Sequence, residues 1–473
     1  MTFEGLLSDG FDGVLWVAGF IIFFGLLQNM IYLAQLIMAW WVLRQRRIIP
    51  NKATAWGQLS EATMPISILA PAYNEQISIV ESVRSLLSMY YPNFQVIVIN
   101  DGSRDDTLQR LMTHFELTPV EWDLRDDVRH KPVRGIYGST LYANLLVIDK
   151  ENGGKADALN AGINAAHTPL FCAVDADSVL ESDALLRAVD PFVQEPERVV
   201  AVGGTIRLAN GCMIKSGQIQ SIGLPKNIWA LFQVMEYLRA FLMGRLSLSS
   251  IDSLVIVSGA FGIFRRTAAV AVGGYSHGTV GEDMEIIVKI HRYMSEQKRD
   301  YEIVFVPEPV CWTEAPENLA TLARQRRRWQ RGTLETFFKH IVMLLNPRYG
   351  RSGMIGFLNV LISDVVAPVV ELCGYILMPY FYFSGALDID FLYAYMALTF
   401  VFGIFLSVGA LALEEMELKR FPRALDLFIL TLAAVFENFG YRQINNIWRI
   451  QGWWEFLRKE QGWGKMTRKG LNR

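Results

Sequence analysis

FCAVDADSVL, residues 171–180, decides how the rest of the chain is read. Phe171 to Val174 form an apolar run the length of a short buried strand, and Asp175, Ala176 and Asp177 sit where that strand emerges, before the helix-like run DALLRAV. Two carboxylates one residue apart at a strand end make a corner of hard oxygen ligands suited to magnesium or manganese, which can bridge the phosphates of a nucleotide. Aspartate also caps helices well, so the motif gains meaning only from its neighbours.

Those neighbours repeat the pattern. Between about Pro65 and Glu317, short β-like runs alternate with polar helices: ISILAPAYNE, FQVIVINDGS, LLVID and LFCAVDADS. Such alternation predicts an α/β domain with a mostly parallel sheet that binds ligands at the carboxyl ends of its strands. The polar motifs fall at those ends. Tyr73 could stack on a base, and Asp101 could accept hydrogen bonds from a base or ribose. A turn at NDGS and a cap at DDT account for the same residues taken singly. In GGKADALNAG, Gly153 to Gly162, the spacing is neither that of a P-loop nor of a dinucleotide fingerprint, yet two glycines before Lys155 could bring an ammonium to a diphosphate. VSGAFGIFRR reads as a strand with small residues where a ligand can approach. GEDMEIIVKI puts Glu282 and Asp283 at a helix start, where a carboxylate either answers the helix dipole or takes a proton from an attacking hydroxyl. In ARQRRRWQRG, Gln325, Arg328 and Trp329 share one helical face, an amide, a guanidinium and an indole suited to a sugar ring and its leaving phosphate. Arg324, Arg326, Arg327 and Arg331 are then left for anionic lipid.

The composition requires membrane as well. Of 473 residues, 52% are hydrophobic and 19% charged, too apolar for an ordinary soluble domain. A net charge of -2 gives no global preference for nucleic acid, and four scattered cysteines and six histidines give neither a disulfide framework nor a zinc site. Val14 to Val42 is long enough to span a bilayer, and Arg44, Arg46 and Arg47 after it place the following domain in the cytoplasm. Met354 to Ser384, with Pro368 as a kink or break, and Phe391 to Leu413 are further spans, and Leu425 to Phe439 is a shorter one. Three such spans would leave the basic tail, Arg458 to Arg473, outside, against the positive-inside rule. Either one stretch lies in the interface or Ile444 to Leu457 is a further, polar span; we expect the interfacial segment, with Trp448, Trp453, Trp454 and Trp463 at headgroup depth. Trp229 to Leu248 reads either as an interfacial or as a core helix. Asp364 and Glu371, costly in lipid, should face protein or an aqueous path. The domains are then 1–48, an N-terminal transmembrane helix; 49–350, a cytoplasmic domain; and 351–473, transmembrane and interfacial helices.

PAYNE, INDGS, GGKADALN, DADS, GED, WTEAPE and QRRRW, in this order between membrane segments, resemble the inverting family-2 glycosyltransferases, particularly the membrane-embedded synthases of poly-N-acetylglucosamine, hyaluronan and cellulose. The resemblance implies a GT-A fold, a Rossmann-like mixed sheet, binding a UDP-sugar with Mg2+ or Mn2+. By position, Tyr73, Glu75, Asp101, Lys155 and Asp175 would hold the nucleotide-sugar, Asp177 with Asp175 the metal, and Asp283 would be the catalytic base. Glu282, Gln325, Arg328 and Trp329 would face acceptor and diphosphate. The implied partners are a polysaccharide or lipid acceptor, membrane lipid and a small membrane subunit, with no nucleic acid. WTEAPE inclines the donor to UDP-GlcNAc. Asn100 and Gly281 depart from the family pattern, which often has aspartate and threonine there. Single transfer to a lipid and a non-enzymatic receptor or export partner are the alternative readings; for the latter the carboxylates would be missing, yet Asp175, Asp177 and Asp283 are present.

Overall fold

The computed structural model describes residues 3–45, 63–176, 178–215, 218–417 and 423–459. Asp177, Arg46, Arg47, Trp463 and the end of the basic tail lie outside them.

The strands are β1 (Ile66–Ala72), β2 (Phe94–Asn100), β3 (Leu117–Pro119), β4 (Val133–Ser139), β5 (Leu145–Lys150), β6 (Leu170–Val174), β7 (Val179–Leu180), β8 (Val199–Leu208), β9 (Met213–Lys215), β10 (Gln218–Ser221), β11 (Phe261–Arg265) and β12 (Glu302–Thr313). Ten of them form one mixed sheet in the order β3-β4-β5-β2-β1-β6-β11-β8-β12-β7. Strands β5, β2, β1 and β6 are parallel, and β11 runs antiparallel between β6 and β8. The apolar runs seen in the sequence are these parallel strands, buried because helices cover both faces. The chain passes from β1 to β2 on one side and reaches β6 on the other, so a crevice opens at the carboxyl ends of β1 and β6.

Helices α1 (Phe3–Gln45), α2 (Ile79–Leu87), α3 (Thr107–His114), α4 (Lys155–Ala165), α5 (Ala184–Gln194), α6 (residues 228–249), α7 (Arg266–Ala271), α8 (Glu282–Glu296) and α9 (Leu319–Lys339) precede the C-terminal membrane part. α6 is regular over Ile228–Tyr237, widens to a π turn over Leu238–Arg245 and ends at Ser249. It packs against α1 as well as β8 and β12, so it fills the joint between the sheet and the apolar helices. Then follow α10 (Ser352–Phe383), α11 (Ile389–Met416), α12 (Ala424–Phe436) and α13 (Tyr441–Leu457).

Helices α1, α10 and α11 are long and apolar enough to cross a membrane, which makes this a multi-pass membrane protein. Pro368 does not break α10: the helix widens into a π turn over Leu361–Val366 just before it. The polar groups inside the spans find one another, Gln28 donating to Glu371 at 3.1 Å and Gln35 to Asn359 at 3.0 Å. α12 has 13 residues, about 20 Å of helix, short of a bilayer core. α13 is bent by 57° from α12 and packs along α9. Glu414 near the end of α11 pairs with Arg207 of β8, so α11 ends against the sheet. The described residues therefore hold three helices that pass as spans, or four if the bent pair of α12 and α13 is one span, and both arrangements stay open.

Candidate active site

The carboxyl edge of the sheet gathers one ammonium and three carboxylates. Gly154, at a φ of +90 that favours glycine, turns the chain into α4 so that Lys155 opens the helix. Its Nζ lies 2.5 Å from Asp175 Oδ1 at the end of β6 and 3.6 Å from Glu282, and donates to the Gly259 carbonyl at 3.0 Å. Asp283, beside Glu282 in the first turn of α8, accepts from the Gly259 amide at 3.0 Å through Oδ2 and from Met284 N at 2.9 Å through Oδ1. Lys155, Gly259, Glu282, Asp283 and Tyr275 line one small cleft. Burial alone would lower the Lys155 pKa, but Asp175, Glu282 and Asp283 around it hold it above the ordinary lysine range. Burial pushes Glu282 up to about 7, against the pull of Lys155, with Asp283 adding to the rise and Arg328 opposing it. Arg245 of α6, which no motif singled out, is close enough for its charge to act on Asp283.

Asp101 does different work from an exposed acceptor. It is 3% exposed, and its carboxylate takes Lys150 Nζ at 2.8 Å, Gly153 N at 3.0 Å, Gly154 N at 2.8 Å and Asn152 Nδ2 at 3.1 Å. It thereby shapes the two-glycine loop that delivers Lys155. Lys150 is also bridged to Asp157, which His277 reaches at 2.9 Å. The departure at Asn100 has a physical reason: its amide donates to buried Asp149 at 2.7 Å, where an aspartate would set two carboxylates face to face. Tyr73 is half-exposed after β1, and Ser78 Oγ donates to Glu75 at 2.9 Å. Asn74 N to Ser103 Oγ at 3.0 Å and Glu75 N to Thr107 Oγ1 at 2.9 Å stitch the β1 and β2 loops together, and Asp105 binds Thr107 N and Gln76 N.

Helix α9 supplies the other wall. Gly332 meets Gly281 backbone to backbone, close enough that a Cβ at Gly281 would sit 2.9 Å from Gly332. This approach is what Gly281 allows in place of a larger residue, and it brings the start of α8 against α9, where Arg328 acts on Glu282. Trp329 is 40% exposed. The neighbouring arginines, expected to be left for anionic lipid, have partners within the protein. Arg326 is buried on Glu236 at 2.6 Å, Arg327 and Arg331 reach Glu455 of α13 at 3.3 and 3.9 Å, and Arg324 donates to Thr321 at 3.0 Å. Arg326 and Trp329, three residues apart on the helix and therefore neighbours, also meet: the guanidinium carbon lies 4.3 Å from the ring centre.

Among the described residues no three His, Cys, Asp or Glu side chains form a metal cluster. Asp175, half-exposed at the strand end, is one hard oxygen donor, and Asp177 lies outside the described residues. One or two carboxylates completed by phosphate and water is the usual donor set of a magnesium ion carried with a nucleotide, and Asp175 fits that role once Lys155 yields to it.

A family model described as glycosyl transferase family 2 matches residues 67–212, and one described as glycosyl transferase family group 2 matches residues 170–406, about half of the chain. The poly-beta-1,6-N-acetyl-D-glucosamine synthase of Staphylococcus epidermidis is 30% identical over 274 residues, 58% of this chain and 56% of that protein. That of Staphylococcus aureus strain COL is 29% identical over 277 residues, with the same coverage. The chain spans about half the length of the curated relatives it matches. Among solved structures, mannosyltransferase PcManGT from Pyrobaculum calidifontis in complex with GDP-Man and Mn2+ matches with a TM-score of 0.52 at 16% identity, covering 93% of this chain and 100% of that one.

Proposed function

The chain belongs to group 2 of the glycosyl transferase family, with membrane-spanning helices and a distant relation to poly-N-acetylglucosamine synthases, and from that premise we propose that it adds sugars from a UDP-sugar, UDP-GlcNAc by preference, to a growing β-linked polysaccharide with inversion. The domain is of GT-A type and cytoplasmic in this reading, and the product is passed outward by the membrane helices.

The observation that carries the proposal is the convergence of Lys155, Asp175, Glu282 and Asp283 at the carboxyl edge of the sheet. Asp283 is fixed by two backbone amides, with no side-chain donor needed to place it. It takes the proton of the acceptor hydroxyl as that oxygen attacks the anomeric carbon and the bond to UDP breaks, leaving the proton on Asp283 and the electron pair on the diphosphate. Lys155, freed from Asp175, and Arg328 offer positive charge to the departing diphosphate. Tyr73 stacks on the base, and Glu75 and Asp101 hold the loops around it. A magnesium or manganese ion held by Asp175 and Asp177 would neutralise charge on the diphosphate, and the Mn2+ bound by the Pyrobaculum calidifontis mannosyltransferase supports a divalent cation. The preference for UDP-GlcNAc is supported by the staphylococcal synthases.

The test uses full-length protein in lipid nanodiscs with magnesium or manganese and a panel of UDP-sugars, reading UDP release beside product size. We expect one donor to be turned over, polymer to form, and Asp283→Asn to lower the rate by roughly 10²–10⁴-fold. A single sugar on lipid would refute polymer synthesis, and no turnover with any donor, even with native membranes added, would favour a non-enzymatic role.

A further inference from the structure

Two residues of the acceptor wall, Gln325 and Trp329, are held by one side chain between them. Arg326 Nη1 donates to Gln325 Oε1 at 3.3 Å, and the same guanidinium lies over the Trp329 indole. Arg326 is itself 3% exposed, so its charge needs a partner, and Nη2 finds one in Glu236 Oε2 at 2.6 Å. Glu236 stands on α6, not on α9, and it binds more than Arg326. Tyr441 Oη donates to Glu236 Oε2 at 2.9 Å and Asn445 Nδ2 to Oε1 at 3.5 Å, both from α13. The Tyr441 ring is packed against Trp229 and Phe232 of α6, with centres 6.3 and 5.2 Å away. One carboxylate therefore joins three helices at a point one side chain away from the indole.

We propose that Glu236 is a positioning residue for the acceptor carbohydrate: through Arg326 it sets the plane of the Trp329 ring and the direction of the Gln325 amide, and through Tyr441 and Asn445 it makes that setting depend on α13 being docked. The inference rests on the reading of Gln325 and Trp329 as acceptor contacts. A sugar ring recognises an indole by its apolar face, so the tilt of the ring decides where the attacking hydroxyl is presented. Loss of the Glu236 charge leaves a buried guanidinium without its counter-ion, and Arg326 then leaves the indole for water.

The full chain in nanodiscs is labelled with 5-fluorotryptophan, and Trp329→Phe assigns its line among the 12 tryptophans. In Glu236→Gln the Trp329 fluorine line is expected to shift and broaden. With UDP-GlcNAc as donor and a β-linked N-acetylglucosamine pentasaccharide as acceptor, the acceptor KM is expected to rise about fivefold or more while the donor KM changes less than about twofold. Tyr441→Phe, which keeps the ring and removes only the hydroxyl, should move both readouts in the same direction by less, and it replaces the first variant if that fails to fold. A Trp329 line left in place, or donor and acceptor KM rising together, overturns the proposal. Absence of turnover in the unmodified chain would count against the proposed function, and the fluorine line would still decide this inference.

Discussion

Glu282→Gln should make the stability of the chain less dependent on pH between about 4.5 and 7. Glu282 is 5% exposed, and burial, opposed by Lys155 and reinforced by Asp283, raises its folded pKa from 4.5 to about 7. A raised folded pKa means that the folded state holds the proton more tightly than the unfolded one. The contribution is therefore fully present below pH 4.5 and is lost as pH rises through 7. At ~1.4 kcal/mol per pH unit the loss is about 3 kcal/mol. Glutamine keeps the shape, carries no proton to lose, and avoids that loss. Thermal unfolding of both forms in nanodiscs without nucleotide, at pH 5 and pH 8, would measure it. Relative to pH 5, the wild-type midpoint should fall by about 5 °C more than that of Glu282→Gln. Adding Lys155→Met to the wild type should steepen its pH dependence, because the ammonium is what restrains the rise. Parallel pH profiles for wild type and Glu282→Gln would refute the reasoning, since every other titrating group is common to both.

Asp101→Ala takes from Lys150 one of its two carboxylates and leaves two loop amides without their acceptor, and should cost about 2–4 kcal/mol in thermal unfolding and weaken UDP binding measured by titration calorimetry. Gly281→Thr drives a side chain into the Gly332 backbone and should cost about 1–3 kcal/mol in the same unfolding assay, with turnover falling further than stability because Arg328 moves away from Glu282. Arg239 of α6 is held by buried Glu437, which also accepts from Ser407 at 2.6 Å. Arg239→Met should lose about 3–5 kcal/mol, and Arg239→Met with Glu437→Leu should recover most of it in a double-mutant cycle.

The strands that carry the motifs were legible because β1, β2, β5 and β6 are buried runs of apolar residues ending in polar ones. β8 and β12 are equally buried but were not singled out: Gly203, Gly204 and Arg207 interrupt one, and Pro307, Glu308 and Pro309 bulge the other where its register shifts. The carboxylates and Lys155 were legible because each stands at a strand end or helix start, the positions that local pattern marks. The partners of Arg326, Arg327 and Arg331 were not legible because they are set far along the chain. Glu236 is 90 residues before Arg326, and Glu455 is on the last described helix. The inward role of Asp101 was hidden for the same reason, since Lys150 comes 49 residues later.

The return of α13 to α9 also orders events in time. A chain still being synthesised carries every signature motif by Trp329 and has its apolar helices once Met416 has emerged, yet Glu236, Arg327 and Asp364 are still waiting for Tyr441, Glu455 and Arg449 to be brought to them. On the proposed reading of Gln325 and Trp329 as acceptor contacts, the acceptor wall is finished by the last described helix. A nascent chain would then hold its proposed donor-side groups before it can seat a carbohydrate, and the three apolar helices would be made before that wall is closed.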